Sequence, residues 1–218
     1  SHLIFLADIN IITILEEGRT PNKFTKGLLI GIGAVIALAL ILLPVVGLYK
    51  AELIPYIKDP FAIANLQADV NWSYSESAWG IIYLIGIITA VVFAANKFKK
   101  ALIVLFCVQI VMIQVTVAHF TPKIEAFSQR AAIEFYEQFQ GKDVYVHVLG
   151  YKSYAQLFYT RKMPVTNANS YKEDWLLNGD VDKPTYFVCK IMIADKYRAL
   201  PQLEEIGSKN GFVFFKRK

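Results

Sequence analysis

The sequence predicts an α-helical membrane bundle followed by a small α/β domain. Three observations predict it. First, 55% of the 218 residues are hydrophobic, 19% are charged and mean hydropathy is +0.39. A soluble domain is typically ~45–50% apolar and ~25% charged. Second, the charge is unevenly placed: residues 1–118 contain 8 Lys or Arg and 7 Asp or Glu, residues 119–218 contain 15 and 11. Third, the first part holds uncharged runs of spanning length, and the second alternates strand-like and helix-like segments. A purely soluble enzyme, a disordered tail and a simple bundle of membrane helices are excluded.

Taken in order, Leu3 to Leu15 is apolar apart from Asp8 and Asn10. It is shorter than the about 20 residues a crossing needs, and it lacks the basic start and cleavage site of a signal peptide. With no initiator Met ahead of it, residues 1–16 read as the end of a truncated membrane helix. The chain then reads as the C-terminal piece of a longer protein. Residues 27–49, 78–95 and 101–118 are uncharged and long enough to cross. Pro44 is a possible kink that neighbouring helices accommodate, and Gly27 and Gly31 form a G-x-x-x-G suited to close helix packing. Gln109, Gln114 and Thr116 lie within the last span. They read as hydrogen bonds to a neighbouring helix, with a polar substrate cavity as the alternative.

Positive charge sets the topology. Arg19, Lys23 and Lys26 lie before the first span and three lysines fill the 96–100 turn, whereas the 50–77 loop has only Lys50 and Lys58. This places residues 119–218 outside the cytoplasm, which in a bacterium is the periplasm. The 50–77 loop is itself rich in apolar and aromatic residues, as interfacial helices are. Asp59-Pro60 reads as a helix start, with Asp as the cap and Pro in the first position. Asn71-Trp72-Ser73 matches a glycosylation sequon by accident.

Beyond it, Lys123 to Gln140 reads as one amphipathic helix ended by Gly141. Asp143 to Leu149 reads as a strand, Tyr151 to Arg161 as a helix and Pro164 to Asp182 as a polar stretch with a short helix at 172–177. Tyr186 to Ile193 reads as a strand, Tyr197 to Lys209 as a helix and Phe212 to Lys216 as a closing strand after Asn210-Gly211. That order implies two or three layers with parallel strands. The domains are therefore residues 1–118, the membrane region, and 119–218.

Chemistry is sparse. The strand-to-helix turn at Gly150, followed by Tyr151, Lys152 and Ser153, suits either a phosphate at a helix start or a plain βα turn; P-loop spacing is absent. His119 and His147 have no partner at catalytic or metal spacing and read as structural. Glu16-Glu17 and Glu204-Glu205 read as solvated helix surface. Cys107 and Cys189 read as buried, unpaired thiols.

Two stretches, Lys142 to Tyr159 (KDVYVHVLGYKSYAQLFY) and Ile57 to Leu66 (IKDPFAIANL), resemble the C-terminal part of bacterial glycosyltransferase family 39 proteins. That family holds relatives of protein O-mannosyltransferases and the aminoarabinose transferases that modify lipid A. Leu3 to Ala7 is similar to a late membrane helix of such proteins, although their Pro is absent here, and Gly211 to Lys216 is similar to their terminal strand. The resemblance implies a GT-C-like C-terminal part of a multi-pass protein of the bacterial inner membrane, with a periplasmic α/β domain. It also implies transfer of a sugar from a polyprenyl-phosphate donor to a lipid, protein or glycan acceptor on the outer face. The family's essential acidic residues lie in the first outer loop, which nothing here matches, so no catalytic residue is expected in this chain.

Within it, Lys58 and Lys152 are candidate contacts to the carrier phosphate, with Trp72, Tyr151 and Ser153 beside them. No metal is called for. The implied partners are membrane lipids and the missing N-terminal membrane helices, and not nucleic acid. The alternatives are a non-catalytic, membrane-anchored periplasmic α/β binding module and, less attractively, a transporter fragment.

Overall fold

The computed structural model describes residue 9, residues 11–162 and residues 167–218. The start of the apolar stretch at Leu3, the family-like Leu3 to Ala7 and the start of the polar stretch at Pro164 lie outside the described residues. The labelled helices are α1 (Lys23–Leu48), α2 (Pro60–Leu66), α3 (Ala78–Phe93), α4 (Phe98–Val115), α5 (Arg130–Glu137), α6 (Ala155–Tyr159), α7 (Glu173–Asn178) and α8 (Ala194–Arg198). The strands are β1 (Tyr145–Leu149), β2 (Thr185–Lys190), β3 (Leu203–Lys209) and β4 (Phe212–Arg217). The chain divides into two compact units, one of residues 1–49 and 71–122, the other of residues 50–70 and 123–218.

Among the described residues, the helices Lys23–Leu48, Tyr74–Phe93 and Phe98–Ala126 are long and apolar enough to cross a membrane. α1 starts four residues before the expected span because Asn22 caps it, its side chain accepting from the Thr25 N–H at 2.8 Å. Its buried positions, Gly33, Ala37, Leu40, Pro44 and Gly47, recur at intervals of three and four and form one face. α3 answers with Gly80, Tyr83, Ile87 and Ala90. Small residues let the backbones approach: a Cβ on Gly80 would lie 2.6 Å from the Ala37 carbonyl. The seam is therefore not the expected Gly27 and Gly31 pair, around which nothing lies within 4 Å; those two face away from it. Gln109 on α4 donates to the Tyr83 hydroxyl at 2.9 Å, the neighbouring-helix bond expected of it. Cys107, expected to be buried, is exposed on α4; Cys189 is buried in β2.

The second unit is built on a four-stranded mixed sheet of order β1-β2-β4-β3. Only β1 and β2 are parallel; β4 runs antiparallel to both β2 and β3. The all-parallel expectation fails for one reason: residues 203–209 form a strand where a helix was expected. Asn210 and Gly211 adopt φ of 46° and 82°, the two left-handed residues of a tight hairpin turn. The turn folds Leu203 to Lys209 back against β4, and Glu204, Glu205 and Lys209 sit exposed on this edge strand, where charge blocks further pairing. Glu204-Glu205 is thus strand surface rather than helix surface, and Arg198 holds Glu205 at 2.7 Å.

Apolar residues alternate between two cores, as the pleat requires. Leu149, Phe187, Val213 and Phe215 face Leu176, Ala194 and Tyr197. Val148, Val188, Phe212 and Phe214 face Phe135, Tyr136 and Phe139. Of the two layerings left open by the sequence, the structure has three, helix–sheet–helix.

The single helix expected over 123–140 is broken. The Ser128 hydroxyl donates to the Glu125 carbonyl at 3.1 Å, competing with the helical ladder, and α5 starts afresh at Arg130. The helix expected over 151–161 shrinks to α6, and that over 172–177 is present as α7. Arg217, at the end of β4, donates to the carbonyls of Leu176 (3.1 Å) and Gly179 (2.6 Å), satisfying the C-terminus of α7.

Gly211 combines a left-handed φ with a close approach, since a Cβ there would lie 2.8 Å from the Phe61 ring. Gly211→Ala is expected to destabilise this unit by about 1–3 kcal/mol, read as a lower denaturation midpoint followed through Trp175. An unchanged midpoint would show that neither the turn nor the Phe61 contact is strained by the methyl group.

Candidate functional site

Segments far apart in sequence meet at one end of the sheet. Asp59 accepts from the Phe61 N–H at 2.9 Å with Pro60 in the first helical position, so α2 begins where the sequence predicts. This start aims the Phe61 ring edge-on at Phe212 of β4, with centroids 5.2 Å apart. The Lys190 ammonium, at the end of β2, lies 4.6 Å from the Phe61 centroid and 5.5 Å from that of Tyr151. Tyr151 in turn lies 6.4 Å from Phe212. One half-buried cation between two aromatic faces is a cation–π arrangement.

The turn into Tyr151 depends on Gly150. Its φ is +72°, and a Cβ there would lie 2.3 Å from Ile193 Cδ1. The Tyr151 hydroxyl shares a hydrogen bond with that of Tyr136 at 3.2 Å. Burial raises the pKa of both phenols, so both remain neutral O–H groups.

Of the expected site residues, Tyr151 belongs to this cluster. Lys58 is exposed three residues before Phe61, and Lys152 is exposed beside Tyr151. Ser153 is half-buried and its hydroxyl accepts from the Ala155 N–H at 3.1 Å, so it serves the first turn of the five-residue α6. Trp72 is buried in the other unit, stacked on Phe120 at 6.3 Å and lying against Gly47. Sequence reading missed Lys190, Phe61 and Phe212. The signal for Phe61 was present in Asp59-Pro60, but nothing local marks Lys190, since its partners come from segments about 130 and 40 residues away.

His119 and His147 each have one carboxylate nearby. His119 Nε2 lies 3.6 Å from Glu76, in the segment Thr116–Phe120 where the ladder loosens into a π-turn. His147 Nε2 lies 3.8 Å from Glu173. The spacing along the chain, 43 and 26 residues, hid both pairs. Burial, with help from Lys162, holds the His147 imidazole below its ordinary range. The Cys189 thiol is pushed up to about 12 by burial. Among the described residues, no group of three or more His, Cys, Asp or Glu is placed to hold a metal ion.

The chain is similar to ArnT. One solved structure is ArnT from Cupriavidus metallidurans bound to undecaprenyl phosphate: 16% identity, TM-score 0.47, covering 86% of this chain and 36% of that one. The same protein in the apo state gives 12% identity and TM-score 0.46, covering 90% and 38%. The chain thus spans little more than a third of the length of these structures. No protein-family model matches it, and no curated protein does. The fold and the cluster described above stand on the chain's own contacts.

Because its folded pKa is lowered, His147 resists protonation that the unfolded chain accepts. Its share of stability is complete above the ordinary value of 6.5 and is lost as pH falls through the lowered folded value. The denaturation midpoint is expected to drop between pH 7 and 5, and His147→Gln to flatten that slope. An identical slope in the variant would assign the acid sensitivity elsewhere.

Proposed function

We propose that this chain is the C-terminal part of a GT-C-type membrane glycosyltransferase. In this reading the whole protein moves a sugar from a polyprenyl-phosphate carrier to a lipid, protein or glycan acceptor on the outer face of a bacterial inner membrane. The α/β unit then lies in the periplasm. The reading is supported by the three helices of spanning length and by the sequence resemblance. One observation carries it: three separate stretches that bear the resemblance converge on one place. Phe61 comes from the 57–66 stretch, Tyr151 from 142–159 and Phe212 from 211–216, and the three meet around each other and Lys190. Residues from three stretches that resemble one family therefore share one cluster.

The chemistry divides accordingly. Carboxylates that activate or orient the acceptor belong to parts of the protein outside these residues. The role left to this chain is to complete the membrane bundle and to offer cations to the carrier phosphate. Lys152 and Lys58 suit that role because both are exposed, whereas the Lys190 ammonium is engaged by two rings.

The test uses the full-length protein in membranes, supplied with a polyprenyl-phosphate sugar. Lys152→Ala is expected to lower transfer about tenfold or more, the worth of one hydrogen bond to a charged group. Unchanged turnover and carrier affinity would remove Lys152 from the site. If the full-length protein transfers no sugar from any such carrier, the membrane-anchored binding module becomes the better reading.

A further inference from the structure

The Lys- and Arg-rich end of the helical unit holds a crevice that the transferase reading leaves without a role. Three adjoining cavities, of ≈ 570, ≈ 470 and ≈ 240 Å³, open there. They are neighbours: Ile14 lines all three, Phe98 lines the first and second, and Arg19 lines the second and third. The largest falls in the range of roughly 300–1,000 Å³ typical of small-molecule sites.

Its interior is apolar, and its width comes from alanines. Ala90 and Ala94 on one side of the hairpin and Ala101 on the other are buried, yet all line the space. Larger side chains there would close it. The mouth is cationic. Lys26 is half-buried on the first turn of α1, and Arg19, Lys97, Lys99 and Lys100 line the rim. Among the described lining residues, Glu16 is the one carboxylate, and Glu17 beside it pairs with Arg19. Asn22 and Thr25 add amide and hydroxyl donors at the same mouth.

We infer that this crevice is a binding site for an anionic phospholipid. One acyl chain lies between residues 11–14 and α4, and the phosphate sits among Lys26, Arg19 and Lys97. The combination argues for this ligand class. A free phosphate has no use for the apolar interior, and a neutral lipid has none for a mouth where five cations face Glu16 and Glu17. Basic pockets between membrane helices recognise acidic head groups in this way, and Lys26 can bury its stem while its ammonium stays at the interface.

The site is also distinct from any carrier site near Trp72. Lys26 and Gly47 are separated by 21 residues of α1, or ~32 Å along a helix, so it faces the opposite leaflet.

The test is lipid retention by the full-length protein in nanodiscs of phosphatidylcholine with graded phosphatidylglycerol, read by native mass spectrometry after release into detergent. Retention of phosphatidylglycerol over phosphatidylcholine is expected, falling about fivefold for each cation removed in Lys26→Gln, Arg19→Gln and Lys97→Gln. Excess inorganic phosphate should not displace the lipid. Ala101→Leu, which narrows the apolar interior without touching charge, should lower retention as well.

Three results would overturn the inference. They are equal retention of both lipids, undiminished phosphatidylglycerol in the triple variant, and lipid held by residues 1–218 but not by a longer form of the protein, whose preceding segment would then fill the crevice. None of these outcomes depends on sugar transfer, so the inference and the transferase reading fail separately.

Discussion

One ammonium group ties the 50–70 stretch to the sheet of the α/β unit. Lys190 leaves the end of β2 half-buried, a costly place for a charge, and the faces of Phe61 and Tyr151 offset that cost. Each such contact is worth roughly 0.5–2 kcal/mol, and the edge-on Phe61–Phe212 pair adds about 0.5–1.5 kcal/mol. The consequence exceeds the energy. Phe61 belongs to the stretch between two apolar helices, so this cluster recruits residues 50–70 into a unit whose other part begins at residue 123. Lys50 reinforces the recruitment by donating to the Ala68 carbonyl and by lying 5.2 Å from the Phe127 ring. A stretch that reads in the sequence as interfacial helices belongs to the compact unit of the sheet.

The helical unit obeys a different constraint. In lipid, apolar side chains gain little by leaving the solvent, so association rests on close packing and on hydrogen bonds. The seam of Gly33 and Ala37 against Ile87 and Gly80 supplies the first, and Gln109 with Tyr83 supplies the second. The large apolar side chains are correspondingly left outside: Val35, Ile82, Val92 and Phe106 are all exposed. That distribution is the reverse of a soluble bundle and is what an apolar solvent demands.

Much of this was legible in the residues. Each uncharged run lies largely within one of the long apolar helices, although the last helix continues to Ala126. Asp59-Pro60 announced α2, and β-branched and aromatic runs announced β1, β2 and β4. The failures have physical causes. Leu203 to Lys209 looks helical because its Glu and Lys residues are there to protect an edge, and only the Asn210-Gly211 turn reveals the strand. Gly27 and Gly31 carry a packing motif but face away from the seam, since a pair of glycines does not specify which face is buried. Lys190 was invisible because its environment is assembled from two distant segments, and so were the carboxylates beside His119 and His147. Local pattern reports local structure well; sites made by long-range contact escape it.

The central claim is that residues 57–66 fold as part of the α/β unit. Hydrogen exchange of the full chain in a membrane mimetic tests it most directly. The amides of Ala62 to Leu66 should be protected, should exchange through the same opening as those of β2 and β4, and should lose protection together with them in Lys190→Met. Exchange of Ala62 to Leu66 at the rate of an unstructured loop, with the sheet still protected, would contradict the account.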